Sequence, residues 1–162
     1  HRLLGRVIGE QCHMVDLIGY LAGFGHQENS AAQPLDVNVR PVPGGRHSTD
    51  SVNISLIYPG DILAVIHYQA SQSGLIGKER LEIIGANGVI VLEDFKKLKG
   101  QIGSKVINIE HQHAAKGFDE EWRLLARYFQ GRNPRGLIDF DEAARTTRLT
   151  FLIDQDLRQL RS

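Results

Sequence analysis

The feature that most restricts the fold is a run of short strand-like segments between residues 51 and 110, separated by brief breaks. Ser51-Val52-Asn53-Ile54-Ser55-Leu56 alternates strictly between polar and apolar residues, which on a strand buries one face. Pro59-Gly60-Asp61 reads as a turn. Ile62 to Ala70 is apolar on both alternating sets, so it is expected to be a central strand covered on both faces. Residues 71–77 form a small polar loop. Lys78 to Ile84 and Val89 to Glu93 then flank Ala86-Asn87-Gly88, a tight hairpin turn. Lys96 to Gln101 and Val106 to Glu110 follow as weaker strands. A parallel crossover needs roughly a dozen or more residues. These connections are shorter, so the sheet is expected to be antiparallel.

Helices bracket the strands. Residues 9 to 22 carry an apolar helical pattern that ends near Gly23. Residues 24 to 50 show little periodicity beyond a short strand at Val37 to Arg40, broken by Pro41, Pro43, Gly44 and Gly45. Phe118, Trp122, Leu125, Tyr128 and Phe129 form an apolar stripe at helical spacing, read as core. Asp119, Glu120 and Glu121 sit in that helix's first turn, where negative charge suits the dipole. Gly131, Asn133 and Pro134 stop it. Asp139-Phe140-Asp141-Glu142 resembles a capping box with Asp in place of Ser or Thr, opening a helix that runs to about Leu160. The fold class is therefore α+β: an open, mostly antiparallel β-sheet with helices packed on one face. The 162 residues suit one domain with a real core.

The chemistry concentrates at the start. In Gly5-Arg6-Val7-Ile8-Gly9-Glu10-Gln11-Cys12-His13-Met14-Val15-Asp16-Leu17, Glu10, His13 and Asp16 recur every third residue. That spacing keeps neighbours on one side of a helix while the set drifts by about 120° over two steps. Polar groups in an apolar segment cost free energy unless they are paired or used. Cys12 reads as a small buried side chain. His111-Gln112-His113 would put both rings on one face of a strand, as a metal pair might, but two ligands without a third are a weak signal, and a solvated or loop pair is the favoured reading. Lys78 and Arg80 alternate on one strand face with Glu82; they could contact an acidic sugar or sugar nucleotide, or serve cross-strand ion pairs.

Several classes are disfavoured. Nineteen Lys and Arg balance nineteen Asp and Glu, which lacks the basic footprint of a nucleic-acid binder. No run approaches the roughly 18 apolar residues of a membrane span, and no signal peptide shows. The single cysteine suits a reducing, cytoplasmic setting. No G-x-G-x-x-G follows a strand, so no dinucleotide fingerprint is present.

Four blocks, in order, carry a resemblance. They are the opening stretch with its Tyr20-Leu21-Ala22-Gly23 helix end, and Asp50 to Tyr68 as paired strands around a turn. Lys78-Glu79-Arg80-Leu81-Glu82-Ile83-Ile84-Gly85 with Val89 to Phe95 is a hairpin, and Lys116-Gly117-Phe118-Asp119-Glu120-Glu121-Trp122 opens a late helix. Together they resemble the substrate domain of the glucose-fructose oxidoreductase / inositol dehydrogenase (Gfo/Idh/MocA) family. The resemblance implies a dihydrodipicolinate-reductase-like C-terminal domain spanning residues 1–162. It implies an absent N-terminal Rossmann domain that binds NAD or NADP and supplies a catalytic Lys, with no cofactor or metal held by this chain. It further implies a sugar, polyol or sugar-nucleotide substrate, and a homodimer or homotetramer built through the sheet face. His13 matches the family's catalytic His. Asp16 matches the acidic residue expected to orient that His or the substrate hydroxyls. Where many members carry Asp four residues before the His, this chain has Gly9, and Glu10 beside it is the candidate replacement in catalysis. A non-catalytic oligomerisation or binding module of the same fold is the alternative.

Overall fold

The computed structural model describes residues 6–23, 32–42, 51–70, 77–132 and 136–160. The breaks expected at Pro43 to Gly45, most of the loop at 71–77, and the stop at Asn133 and Pro134 lie outside them. The expected single domain divides into two compact units, residues 1–71 with 138–162 and residues 72–137. The strands accordingly form two antiparallel sheets, one in each unit. The α+β class stands.

The first unit begins with a π-helical turn, Val7–Gln11, that runs into helix α1, Cys12–Gly23. Strands β1 (Asp36–Pro41), β2 (Val52–Tyr58) and β3 (Ile62–Tyr68) form a sheet in that order. Helix α3, Phe140–Gln159, closes the unit. The alternation read in β2 is the alternation seen: Val52, Ile54, Leu56 and Tyr58 are buried. In register, Ile54 sits between Val39 of β1 and Ile66 of β3, both buried. Val7, Val15, Leu149, Ile153 and Leu157 from the helical elements complete this core. The helices thus cover the face of the sheet that the β2 pattern marks as apolar.

The strand at 62–68 departs from expectation. It is an edge of its sheet among the described residues, and the central strand is β2. Leu63 and Val65 are 66% and 59% exposed. An apolar residue on both alternating sets therefore did not mean cover on both faces. The Asp139 cap forms as expected: its carboxylate accepts from the backbone N–H of Glu142 at 2.7 Å.

The second unit holds β4 (Arg80–Gly85), β5 (Gly88–Glu93), β6 (Lys97–Ile102) and β7 (Lys105–Glu110) as an antiparallel meander, then helix α2, Phe118–Phe129. Gly88 and Gly100 let β5 and β6 approach: a Cβ on either would lie 2.0–2.1 Å from a carbonyl oxygen of the facing strand. The β5–β6 turn places Asp94 and Phe95 at φ +49° and +53°. Lys96 N–H donates to Glu93 O at 2.8 Å and closes it. The left-handed Phe95 is held by the Lys116 ammonium 5.1 Å over its ring and by Ala115 N–H on its carbonyl at 2.7 Å.

The α2 stripe, read as core, is not core. Phe118, Trp122 and Phe129 are 63%, 69% and 82% exposed, and no residue of α2 is buried. The periodicity gave the helix correctly; it could not say what covers its apolar side.

Candidate functional site

The π-helical turn gives the opening stretch its geometry. Its wider turn, an i to i+5 pattern, is a local departure common at functional sites. It changes the angular offsets expected from a uniform α-helix. Glu10 lies in the turn, and His13 and Asp16 lie on α1.

Glu10 is engaged at both carboxylate oxygens. Oε1 pairs with the guanidinium of Arg6, one helical step earlier. Oε2 accepts from the hydroxyl of Tyr68 at 2.5 Å. Tyr68 ends β3 on the sheet's helix-facing side, in register with buried Val52. Burial, reinforced by the hydrogen bond to Glu10 and its charge, pushes the Tyr68 phenol up to about 12 against the opposing pull of Arg6. The phenol therefore stays protonated and donating through neutral pH. The Arg6 guanidinium is raised in turn, first by its hydrogen bond to Glu10 and then by the charge of that carboxylate.

Asp16 faces a different element. Its carboxylate accepts from Thr146 Oγ1 of α3 at 2.8 Å. His13 is exposed on α1, between the two carboxylates in sequence. Glu10 is thus tied to the sheet and Asp16 to the C-terminal helix. Cys12 is half-buried.

Lys78 and Arg80 belong to the second unit. Lys78 precedes β4 and is exposed. Arg80 pairs with Glu82 at 3.0 Å. This pair runs along one strand, and Arg80's cross-strand neighbour, Glu93, is acidic as well. In the Lys78-Glu79-Arg80 block the middle residue is the more tightly held. The Glu79 carboxylate, 10% exposed, meets Lys116 Nζ at 2.9 Å. His111 and His113 follow the end of β7 at Glu110 in an irregular, exposed segment, so the strand placement that would have aligned their rings is absent. No group of three His, Cys, Asp or Glu residues that could hold a metal occurs among the described residues.

The described residues do not fit a nicotinamide dinucleotide. Every strand pairing is antiparallel, whereas the dinucleotide cradle is built on a parallel strand–helix–strand unit with a glycine-rich turn. No helix among them is long and apolar enough to cross a membrane.

Sequence reasoning missed Arg6, Tyr68 and Thr146. Arg6 carried a signal in its i, i+4 spacing to Glu10. Tyr68 carried a weaker one, as the last inward position of the β3 alternation. Thr146 is 130 residues from Asp16, and no local pattern announces it.

No protein-family model matches the sequence, and no curated protein matches it. Among solved structures, the chain is similar to an aldose-aldose oxidoreductase from Caulobacter crescentus complexed with glycerol. The match has 17% identity and a TM-score of 0.57, over 87% of this chain and 44% of that one. At that identity the likeness is one of fold alone. The chain spans less than half the length of the structure it matches.

Proposed function

We propose that this chain is the substrate-binding part of an NAD(P)-dependent oxidoreductase acting on CH–OH groups of a sugar, polyol or sugar nucleotide. The observation that carries the reading is the Arg6–Glu10–Tyr68 cluster in the turn that leads into His13. Oxidising an alcohol requires a hydroxyl proton to leave, and an imidazole nitrogen can accept it. A ring nitrogen of exposed His13 is the base on this reading. Glu10, with both oxygens engaged, is better placed to hold Tyr68 than to move a proton. A Tyr68 oxygen that donates to Glu10 keeps lone pairs for a substrate hydroxyl. Asp16, steadied by Thr146, would accept a further hydroxyl. Lys78 and Arg80 are proposed contacts only for an acidic substrate. The dinucleotide would be held outside the described residues, by a Rossmann domain preceding this chain.

The test has two arms. Titrating the isotope-labelled chain with glycerol, glucose and inositol should give saturable NMR shifts at His13, Asp16 and Tyr68, weakened by Tyr68→Phe, and none with NAD or NADP. In a protein joining this chain to a dinucleotide-binding domain, His13→Ala should lower kcat about 100-fold or more with the fold retained. A normal kcat would sink the assignment of His13, and the absence of any polyol response would sink the substrate class.

The second reading, an assembly module, has its own observation. In register, Leu81, Ile83, Ile90, Leu92, Leu98 and Ile109 share one face of the four-stranded sheet. The other face carries Arg80, Glu82, Lys97, Lys99 and Glu110. A homodimer or homotetramer through the apolar face would bury it. Ile83→Glu and Ile109→Glu should then reduce the assembled mass, and an unchanged mass would exclude that face.

A further inference from the structure

Helix α2 carries a second apolar surface, separate from the sheet face. Phe118, Trp122, Leu125 and Phe129 recur at i, i+4, i+7 and i+11, a stripe about 60° wide on an α-helix. Tyr128 flanks it and meets Phe129 edge to face, with ring centroids 5.9 Å apart at 72°. Arg123, tied to Glu120, and Arg127 lie on the opposite side. A helix this divided is expected to bury its apolar side, yet the aromatics of this one are exposed.

We propose that this stripe is an isologous contact between two copies of the chain, with the two α2 helices packed antiparallel about a two-fold axis. Three features select that occupant. The stripe is self-complementary when reversed. Aligning Phe118 with the partner's Phe129 sets Trp122 against the partner's Leu125, so aromatic and aliphatic residues interleave along the seam.

The polar flanks agree. Glu121 falls beside the partner's Tyr128 hydroxyl, and Asp119 beside the partner's Gln130 amide. The acidic first turn thus meets donors of the last turn, and the helix dipoles oppose. Parallel pairing would set Asp119, Glu120 and Glu121 against their own copies.

The area suffices. At their observed exposures the stripe's three aromatics and the flanking Tyr128 present on the order of 500–600 Å². Two copies would remove about 1,000–1,200 Å², the lower bound of a specific interface, so the contact is weak to moderate and reversible. An anionic membrane is a poorer occupant, since the first turn beside the stripe is acidic.

Trp122 is the chain's only tryptophan, so its fluorescence reports on this surface without substitution. Raising the concentration of the chain should shift its emission to shorter wavelength and reduce acrylamide quenching, in step with the mass measured by sedimentation. Phe129→Glu, at an exposed position, should weaken this association about tenfold or more with unchanged circular dichroism. Emission that stays at the water-exposed position at every concentration overturns the proposal, whether the chain is monomeric or associates through another surface. So does an association that Phe129→Glu leaves intact.

Discussion

Replacing Tyr58 by Phe should stabilise this protein. Tyr58 ends β2 and is 1% exposed, and its hydroxyl has no hydrogen-bond partner among the described residues. A buried hydroxyl left unsatisfied costs about 1–3 kcal/mol. Phe removes the oxygen and keeps the ring that fills the site, so unfolding should cost about 1–2 kcal/mol more. For a chain of this size that is a rise in Tm of roughly 3–6 °C. The pH dependence supplies a second, independent readout. Burial pushes the Tyr58 phenol up to about 12 from its ordinary value near 10. The folded state therefore holds this proton more tightly than the unfolded chain does. The stability from that difference is complete below pH 10 and is lost as pH rises toward 12. Tyr68, also raised to about 12, contributes a loss of the same sign over the same window. The unsubstituted protein should weaken steeply between pH 10 and 12. Tyr58→Phe should weaken less steeply, and Tyr58→Phe with Tyr68→Phe less again. The assay is urea unfolding followed by circular dichroism at pH 7, 10, 11 and 12. A Tyr58→Phe protein less stable than the parent at pH 7 by 1 kcal/mol or more would refute the reasoning, because it would mean the hydroxyl has a partner worth keeping.

Three further substitutions test how the two units are held. Gly100→Ala places a Cβ 2.1 Å from Val89 O, so β5 and β6 must separate; a loss of about 2–4 kcal/mol is expected in urea unfolding, and a loss under 1 kcal/mol would show that the strands yield. Lys116→Met leaves the largely buried Glu79 carboxylate without its 2.9 Å partner and removes the cation over Phe95; about 1–2 kcal/mol should be lost, with hydrogen exchange rising first at the β5–β6 turn. Asp139→Ala removes the acceptor for Glu142 N–H at the start of α3, and about 1 kcal/mol should follow, restored in part by Asp139→Ser.

What the sequence disclosed follows from the range of the forces involved. Alternation in β2, the N-cap of α3 and the hairpin turn at 86–88 depend on residues a few positions apart, and these were legible. Helix α2 was legible to its last residue, since twelve positions of periodic apolar spacing determine a helix whatever covers it. Cover itself was not legible. The Phe118–Phe129 stripe and the two-sided apolar pattern of β3 state only that an apolar partner is favourable. Strand order decides whether one is present, and β3 lies at an edge of its sheet. The division into two sheets was hidden for the same reason, because each hairpin is encoded locally and the junction between hairpins is not.

The same limit governs the candidate site. Three-residue spacing picked out Glu10, His13 and Asp16, and the long-range partners of the two carboxylates came from elsewhere. The π-helical turn displaced Glu10 from the α-helical count, and β3 then supplied the Tyr68 hydroxyl. Asp16 took its partner from α3, beyond both sheets in the chain. Each carboxylate is therefore satisfied by a different long-range element, and satisfaction changes what each can do. A carboxylate bound by a guanidinium and a phenol has both oxygens engaged. One bound by a single threonine hydroxyl keeps lone pairs for a ligand. The imidazole between them is exposed on α1. The difference between Asp16 and Glu10 comes from the partners the fold assigns, and no reading of the helix alone could have produced it.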